Sequence, residues 1–485
     1  METTPVSREP SPTARAEYVS RRILAAVTGV FALLVAPVVV RGGLLADEYI
    51  ICLRPVRDGG YGPYLDAIWQ DTGVVRPARF IELFLVSNTC TSVPYGLAIL
   101  VPLALKFVAA FLLFGLLRDL SLRTPWPEIG ASIWLLEPLG TEAALWPAAL
   151  HVLLGLTLGL AALRLFRRGH LMWGALAALG ACLSVEQVLF ALPLAAWLVA
   201  PRENRRVVLL VAVAVAAAVL VAYSLWPGEN PRQALTLAER FHNILTEPEW
   251  YVLFPAVGLG LHSGALAFLW AFPISLVVVV AAAVGGAMLV PVLLAGHDGP
   301  ELGRRTAVRG SIAVAGIVVL VNLPLIVTEV GYSARTFTPT WLVIAAAATI
   351  GAAHVRWTRT RILGALAGAF VAFAFLSIAL SVSVRVRTDD FDRAAARWIA
   401  DRTEDGDIVA VCDVGRTVVD PAPLGAFHLH ALHSPSGHWI GYHTGRVVEV
   451  RRSGLRYWGA RCPDLDGADL VVRFPQLMDA IRRRA

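Results

Sequence analysis

The sequence predicts an α-helical polytopic membrane protein of about eleven transmembrane spans, followed by a small extracytoplasmic α/β domain. Three observations predict it. Hydrophobic residues make up 57% of the 485 residues, and the mean hydropathy is +0.64. Soluble domains rarely carry so much apolar side chain. The apolar residues fall in uninterrupted runs, several of which reach the ~20 residues that a membrane-spanning helix needs. The arginines collect in short turns between these runs, where they orient a chain in a bilayer. The two-residue alternation of a membrane β-barrel is absent.

Residues 1–20 are rich in Pro, Ser and Thr and are expected to form an unstructured cytoplasmic N-terminus. The apolar run that follows lacks a small-residue cleavage site, so it reads as a retained anchor. Residues 21–384 form the transmembrane domain. Its spans are expected at 23–40, 93–117, 127–141, 144–164, 171–184, 187–200, 207–226, 266–294, 310–328, 338–354 and 362–384. The third, fifth and sixth are short and read as helix pairs that turn back at the outer face. Arg21 and Arg22 precede the first span. Arg118 and Arg123, Arg164, Arg167 and Arg168, Arg202, Arg205 and Arg206, Arg304, Arg305 and Arg309, and Arg356, Arg359 and Arg361 follow alternate spans. All fall on one side, which the positive-inside rule makes cytoplasmic. The N-terminus is therefore inside and residues 385–485 outside. The net charge of +6 serves this orientation and does not point to nucleic acid. Lys106 is the only lysine, and the Ala, Val, Leu, Gly and Arg load fits a high-GC bacterial genome such as that of an actinobacterium.

Acidic residues gather on the opposite, outer face. Asp47 and Glu48 lie just past the first span, and Glu137, Glu142 and Glu186 lie among apolar residues at short helix tips. Solvated loop charge accounts for most outer acids. It accounts less well for these, which could serve a proton relay, a hydroxyl acceptor or a divalent cation. Loops 41–92 and 227–262 are the large outer segments. The first mixes aromatics with Arg76 and Arg79 and suggests short amphipathic helices on the bilayer surface. Guanidinium forks suit phosphate, whether a general lipid headgroup or one specific lipid phosphate. Lys106 lies in mid-span, where a charge costs ~3 kcal/mol or more unless it meets a partner or a cavity. It reads either as a structural pair with Glu137 or Glu142, or as a contact to a phosphate. His151, Glu186, Gln187, Tyr332 and Arg335 complete the polar groups expected near the outer face. For each, a satisfied hydrogen bond, a helix turn or an interfacial anchor is the alternative.

Cys52 and Cys90 share the first outer loop, and Cys412 and Cys462 share the tail. Outside the membrane thiols are oxidised, so these are the natural disulfide pairs. In the tail, 391–402 has a helical pattern, while 407–412, 447–450 and 470–473 read as strands. Five histidines between His428 and His443 read as surface groups, and no metal site is assigned.

Taken together, Ala46-Asp47-Glu48-Tyr49 just past the first helix, Val75-Arg76-Pro77 later in the same loop, and the Glu186-Gln187 tip after a short helix resemble the GT-C class of membrane glycosyltransferases. The resemblance covers residues 20–384 and leaves the tail unmatched. It implies transfer of a sugar from a polyprenyl-phosphate donor to a cell-envelope glycan, lipid or protein on the outer face of the plasma membrane. Asp47 would be the general base, with Glu48 a second acid or acceptor ligand. Arg76, Arg79, Lys106 and Arg335 would hold the departing phosphate, with Glu142, His151, Glu186, Gln187 and Tyr332 lining the site. No organic cofactor is implied, and a divalent cation stays open. A transporter or flippase of lipid-linked or polar substrates is the alternative, and a non-catalytic assembly protein a third. The absence of an internal repeat and the large outer loop argue against a carrier.

Overall fold

The structure is a computed structural model. It describes residues 12–44, 48–49, 51–53, 60, 62–63, 77–90, 95–137, 141–225, 273–294, 304–327, 334–354, 360–412, 438–452, 467–473, 476–477 and 480. The described chain is overwhelmingly helical. Six helices are long and apolar enough to cross a membrane: Tyr18–Arg41, Leu97–Asp119, Pro147–Arg167, Arg205–Ala222, Arg305–Pro324 and Thr360–Ala379. Leu171–Ser184, Glu186–Val199, Leu276–Pro291 and Phe337–Ala352 are apolar but shorter. Large apolar side chains point outward on many of them, among them Leu33, Phe111, Leu210, Met288 and Ile312. A helix that is apolar on its outward face belongs in lipid. The protein is therefore an α-helical membrane protein.

Helix α1 is Pro12–Arg41. It begins inside the stretch expected to lack structure, because Ala14-Arg15-Ala16-Glu17 are good helix formers that continue the span without a break. α2, Pro77–Thr89, lies in the first connecting segment. α3, Gly96–Asp119, and α4, Trp126–Leu135, follow. α4 stops well short of the expected limit of 141. The short α5, Thr141–Leu145, and a 3₁₀ turn, Pro147–Ala149, lead into α6, Leu150–Arg167. α7, Leu171–Ser184, and α8, Glu186–Val199, form the expected short pair. The chain bends between them at the extended Val185, and Gly155 of α6 leaves room for the Val185 side chain. Cys182 is buried on α7. α9, Arg205–Ser224, closes this group. The main core joins α1 and α3 to α9 through residues such as Phe31, Leu113, Trp134, Leu153 and Phe166, and also takes in Phe337 and Ile378 from later helices.

α10, Pro273–Leu294, α11, Arg304–Val327, and α12, Ala334–Ala352, precede the longest element. α13 runs unbroken from Thr360 to Ala400, 41 residues, or about 60 Å at 1.5 Å per residue. That is about twice the hydrocarbon thickness of a bilayer. The expected break between the last span and the tail helix is absent, since no Gly or Pro occurs from 369 to 400 to end the helix. α10 and α13 meet at a seam of small residues. A Cβ on Gly364 would strike the backbone of Gly286 and one on Gly368 that of Ala282, so the two backbones touch, as small residues permit in membranes.

Beyond α13 come β1 (Ile408–Cys412), α14 (His438–Thr444), β2 (Glu449–Arg452) and β3 (Leu470–Arg473). They form a parallel three-stranded sheet in the order β2-β1-β3. The middle expectation was two residues early. Pairing of Ile408 with Glu449 and Val411 with Arg452 sets the strand at 449–452, and Val447 is exposed.

Among the described residues, the tail buries its apolar side chains in a cluster shared with α13 and the first connecting segment. Val409, Val411, Ile440, Val448, Val450, Val472 and Leu477 pack with Ala395, Ala396 and Ile399 of α13. The same cluster contains Leu44, Tyr49, Cys52 and Cys90 from the first connecting segment, and Tyr95 and Ala98 from the start of α3. So small a sheet buries its apolar face against the segment that carries the first acidic residues.

Candidate functional site

Glu48 and Tyr49 begin a helical turn that resumes at 51–53. Residues three apart share a helix face, so Tyr49 lies with Cys52 and Glu48 with Ile51. Tyr49 and Cys52 join the core formed with the tail. Ile51 joins a second cluster with Val86 of α2 and with Trp146, Ala148 and Ala149 around the 3₁₀ turn. The turn is thus clamped from two sides. Glu48 and Tyr49 are both fully buried. The expected disulfide is present: Cys52–Cys90 ties the end of the turn to the end of α2 across 38 residues.

The clamp on the Tyr49 side is polar as well as apolar. The Tyr49 hydroxyl donates to Asp392 Oδ2 at 2.9 Å. It also lies 3.2 Å from His443 Nε2. Asp392 is completely buried near the end of α13, and His443 is on α14. Tyr442, beside it, donates to the Cys90 carbonyl at 3.1 Å. Its ring meets that of Tyr49 edge-on at 5.4 Å between centroids, a favoured aromatic geometry. Tyr49→Phe removes the donor to a buried carboxylate, and hydrogen bonds to charged groups are worth about 1.5–3 kcal/mol. Faster amide exchange in β1 and α14 is expected, measured by hydrogen–deuterium exchange. Unchanged exchange would mean that the tail is held without this hydrogen bond.

Among the remaining expected site residues, the structure unites some and separates others. α2, which carries Arg79, packs against the 3₁₀ turn, α6 and α7. His151 is the second residue of α6 and half-buried, so it sits close to the turn that holds Trp146. Trp146 itself is buried among Ile51, Val86, Ala148 and Ala149 and is not an exposed interfacial anchor. Glu186 opens α8, with Gln187 buried behind it. α5, which carries Glu142, packs against α3, α6, α12 and α13, and Arg335 lies in the first turn of α12. The side chains of Arg79, Glu142 and Arg335 lie outside the described residues, as do Asp47, Arg76, Tyr332 and Cys462. Cys412 ends β1.

Lys106 lies within the helical core. It is fully buried in α3, and its Nζ donates to Glu137 Oε2 at 2.6 Å. The ammonium also lies 4.7 Å from the centroid of the Trp134 ring, whose Nε1 donates to the Lys106 carbonyl at 3.1 Å. Glu137, one of the two partners expected from the sequence, is in contact. Because α4 ends at Leu135, Glu137 can turn toward α3.

The sequence reading missed Asp392 and placed His443 among surface histidines. One signal was available: Asp392 is an acid on a helix whose neighbours Ala395, Ala396 and Ile399 are apolar. His428, His430 and His433 lie outside the described residues. Among the described residues no group of three His, Cys, Asp or Glu side chains converges as metal ligands would. No protein-family model matches the chain, and comparison with curated proteins finds no relative.

Proposed function

We propose that this protein transfers a sugar from a polyprenyl-phosphate donor to a cell-envelope acceptor at the outer face of the plasma membrane, with Asp47 as general base. In this reading the eleven apolar segments are spans, the N-terminus is inside, and α13 delivers the tail to the outer side. One observation carries it. The turn that follows directly on Asp47 is clamped between two packed clusters and stapled by a disulfide, as a catalytic carboxylate requires of its support. The Cys52–Cys90 bridge suits an oxidising compartment, and the exposed Ile81 and Phe84 of α2 suit a helix lying in the bilayer surface. Asp47 would take the proton of the acceptor hydroxyl as that oxygen attacks the anomeric carbon. The lipid phosphate would leave against the arginines, where negative charge develops. A phosphate leaving group needs no general acid. Glu48, buried beside Tyr49, would set the position of Asp47.

Transfer from a radiolabelled polyprenyl-phosphate sugar by purified protein tests the proposal. Asp47→Asn is expected to lower turnover by about 10²–10⁴-fold, and full activity in that variant would remove Asp47 as the base. A carrier of lipid-linked substrates is the second reading. The buried Lys106–Glu137 pair favours it, since intramembrane charges mark ion pathways. Ion-dependent uptake without turnover of any lipid donor would decide for the carrier.

A further inference from the structure

At the far end of α3 from the Tyr95 and Ala98 contacts with the tail core lies a cavity of about 510 Å³. Phe111, Phe114, Gly115, Arg118 and Asp119 of α3 line one side, and Arg164 and Arg168 from the end of α6 line the other. Three guanidinium groups face one carboxylate there. Asp119 Oδ2 accepts from Arg164 Nε at 2.9 Å and from Arg168 Nε at 3.0 Å, and Oδ1 accepts from Arg168 at 3.1 Å. The single acid neutralises one cation of the three and holds two of them in fixed directions. Arg118 makes no salt bridge to it. Its guanidinium lies 5.8 Å from the Phe114 ring centroid. The negative ends of the neighbouring helices are answered separately, because Arg167 donates to the carbonyls of Asp119 and Val199 at 3.0 and 3.3 Å. Gly115 completes the cavity. A side chain at this position would collide with the Arg164 guanidinium.

The α3 wall of the cavity is aromatic as well as charged, and it continues onto the lipid-facing surface, where Phe111 is 66% exposed. A soluble anion would use only the guanidinium groups. A ligand with an anionic head and an apolar chain would use both, and basic pockets between transmembrane helices take such headgroups. We propose that this cavity binds the phosphodiester headgroup of an anionic phospholipid, its acyl chain lying over Phe111 and Phe114. Arg118 and Arg168 hold the phosphate, and Arg164, pinned by Asp119, shapes the floor. The site lies at the opposite end of the α3 span from the proposed transfer site and does not depend on that function.

The full chain in detergent, titrated with short-chain phosphatidylglycerol, phosphatidylcholine of the same chain length, and inorganic phosphate, tests the assignment by native mass spectrometry and thermal shift. Phosphatidylglycerol is expected to bind at least about tenfold tighter than phosphatidylcholine, the equivalent of one charge-assisted contact. That preference should vanish in R118Q/R168Q. It should weaken in Arg118→Gln alone, which leaves both ion pairs to Asp119 intact and so tests the site without loosening the helix ends. Equal affinity for the two lipids, or a preference that survives R118Q/R168Q, would overturn the proposal. Inorganic phosphate binding as tightly as phosphatidylglycerol would overturn the lipid assignment.

Discussion

Lys106→Ala is expected to destabilise the protein by about 3–5 kcal/mol, the cost of breaking a buried ion pair by removing one partner. The lysine and Glu137 are both without measurable solvent exposure. Their contact of 2.6 Å is reinforced by the Trp134 ring beside the ammonium. Removing the lysine leaves the carboxylate of Glu137 without its cation in a region packed by Trp134, Leu135 and Leu136. The charge itself is not what the fold requires. Replacing both partners, as K106M/E137L, is expected to restore most of the loss, because well-packed apolar residues substitute for buried pairs at little cost. Thermal denaturation of the wild type and the two variants in detergent measures this. Transfer activity of the double variant then separates the two roles. A stable but inactive K106M/E137L would place Lys106 in the reaction, and a stable, active one would leave it a structural group.

Gly368→Leu is expected to part α10 from α13. A Cβ at 368 alone would meet the Ala282 carbonyl, and backbone cannot rotate aside as a side chain can. The helices must separate along the length of the seam. Overpacking at this severity costs about 3 kcal/mol, and the seam loses its close dispersion contacts. Gly285, one residue from Gly286 on α10, has nothing near its Cβ direction. Gly285→Leu should therefore change stability by no more than about 0.5 kcal/mol, as surface substitutions do. Melting temperatures of the two variants provide the comparison, and equal losses would sink the seam as the cause. Because α13 also carries Asp392, only Gly368→Leu should loosen the tail.

Local pattern made much of this fold legible. The apolar runs of α7 and α8 mark both helices to within a residue or two, and the Val-rich runs at 408–412 and 470–473 mark their strands. Cys52–Cys90 followed from the compartment that the arginine turns imply. What the sequence concealed was set by contacts between distant residues. The strand at 449–452 takes its register from β1, so its most apolar residues could not locate it. α13 was divided at Arg385 because charge signals the end of a span, although no residue there ends a helix. The shared core of tail and first segment has no local signature, since Tyr49 and Asp392 are 343 residues apart. Gly364 and Gly368, four residues apart in an apolar run, were a readable sign of close helix packing.

That separation also sets an order of events during synthesis. At about 5–20 residues per second, Tyr49 is made some tens of seconds before Asp392, which lies 343 residues further along. For that interval the turn exists without the tail side of its clamp. Cys52 and Cys90 are only 38 positions apart, so their bridge can close early and hold the turn near α2. The strands and α14 arrive last and seat themselves on a surface already waiting. A chain interrupted before α13 would therefore carry the turn and its disulfide and still lack the tail half of the clamp, so that completion of the polypeptide is what fixes Tyr49 in place.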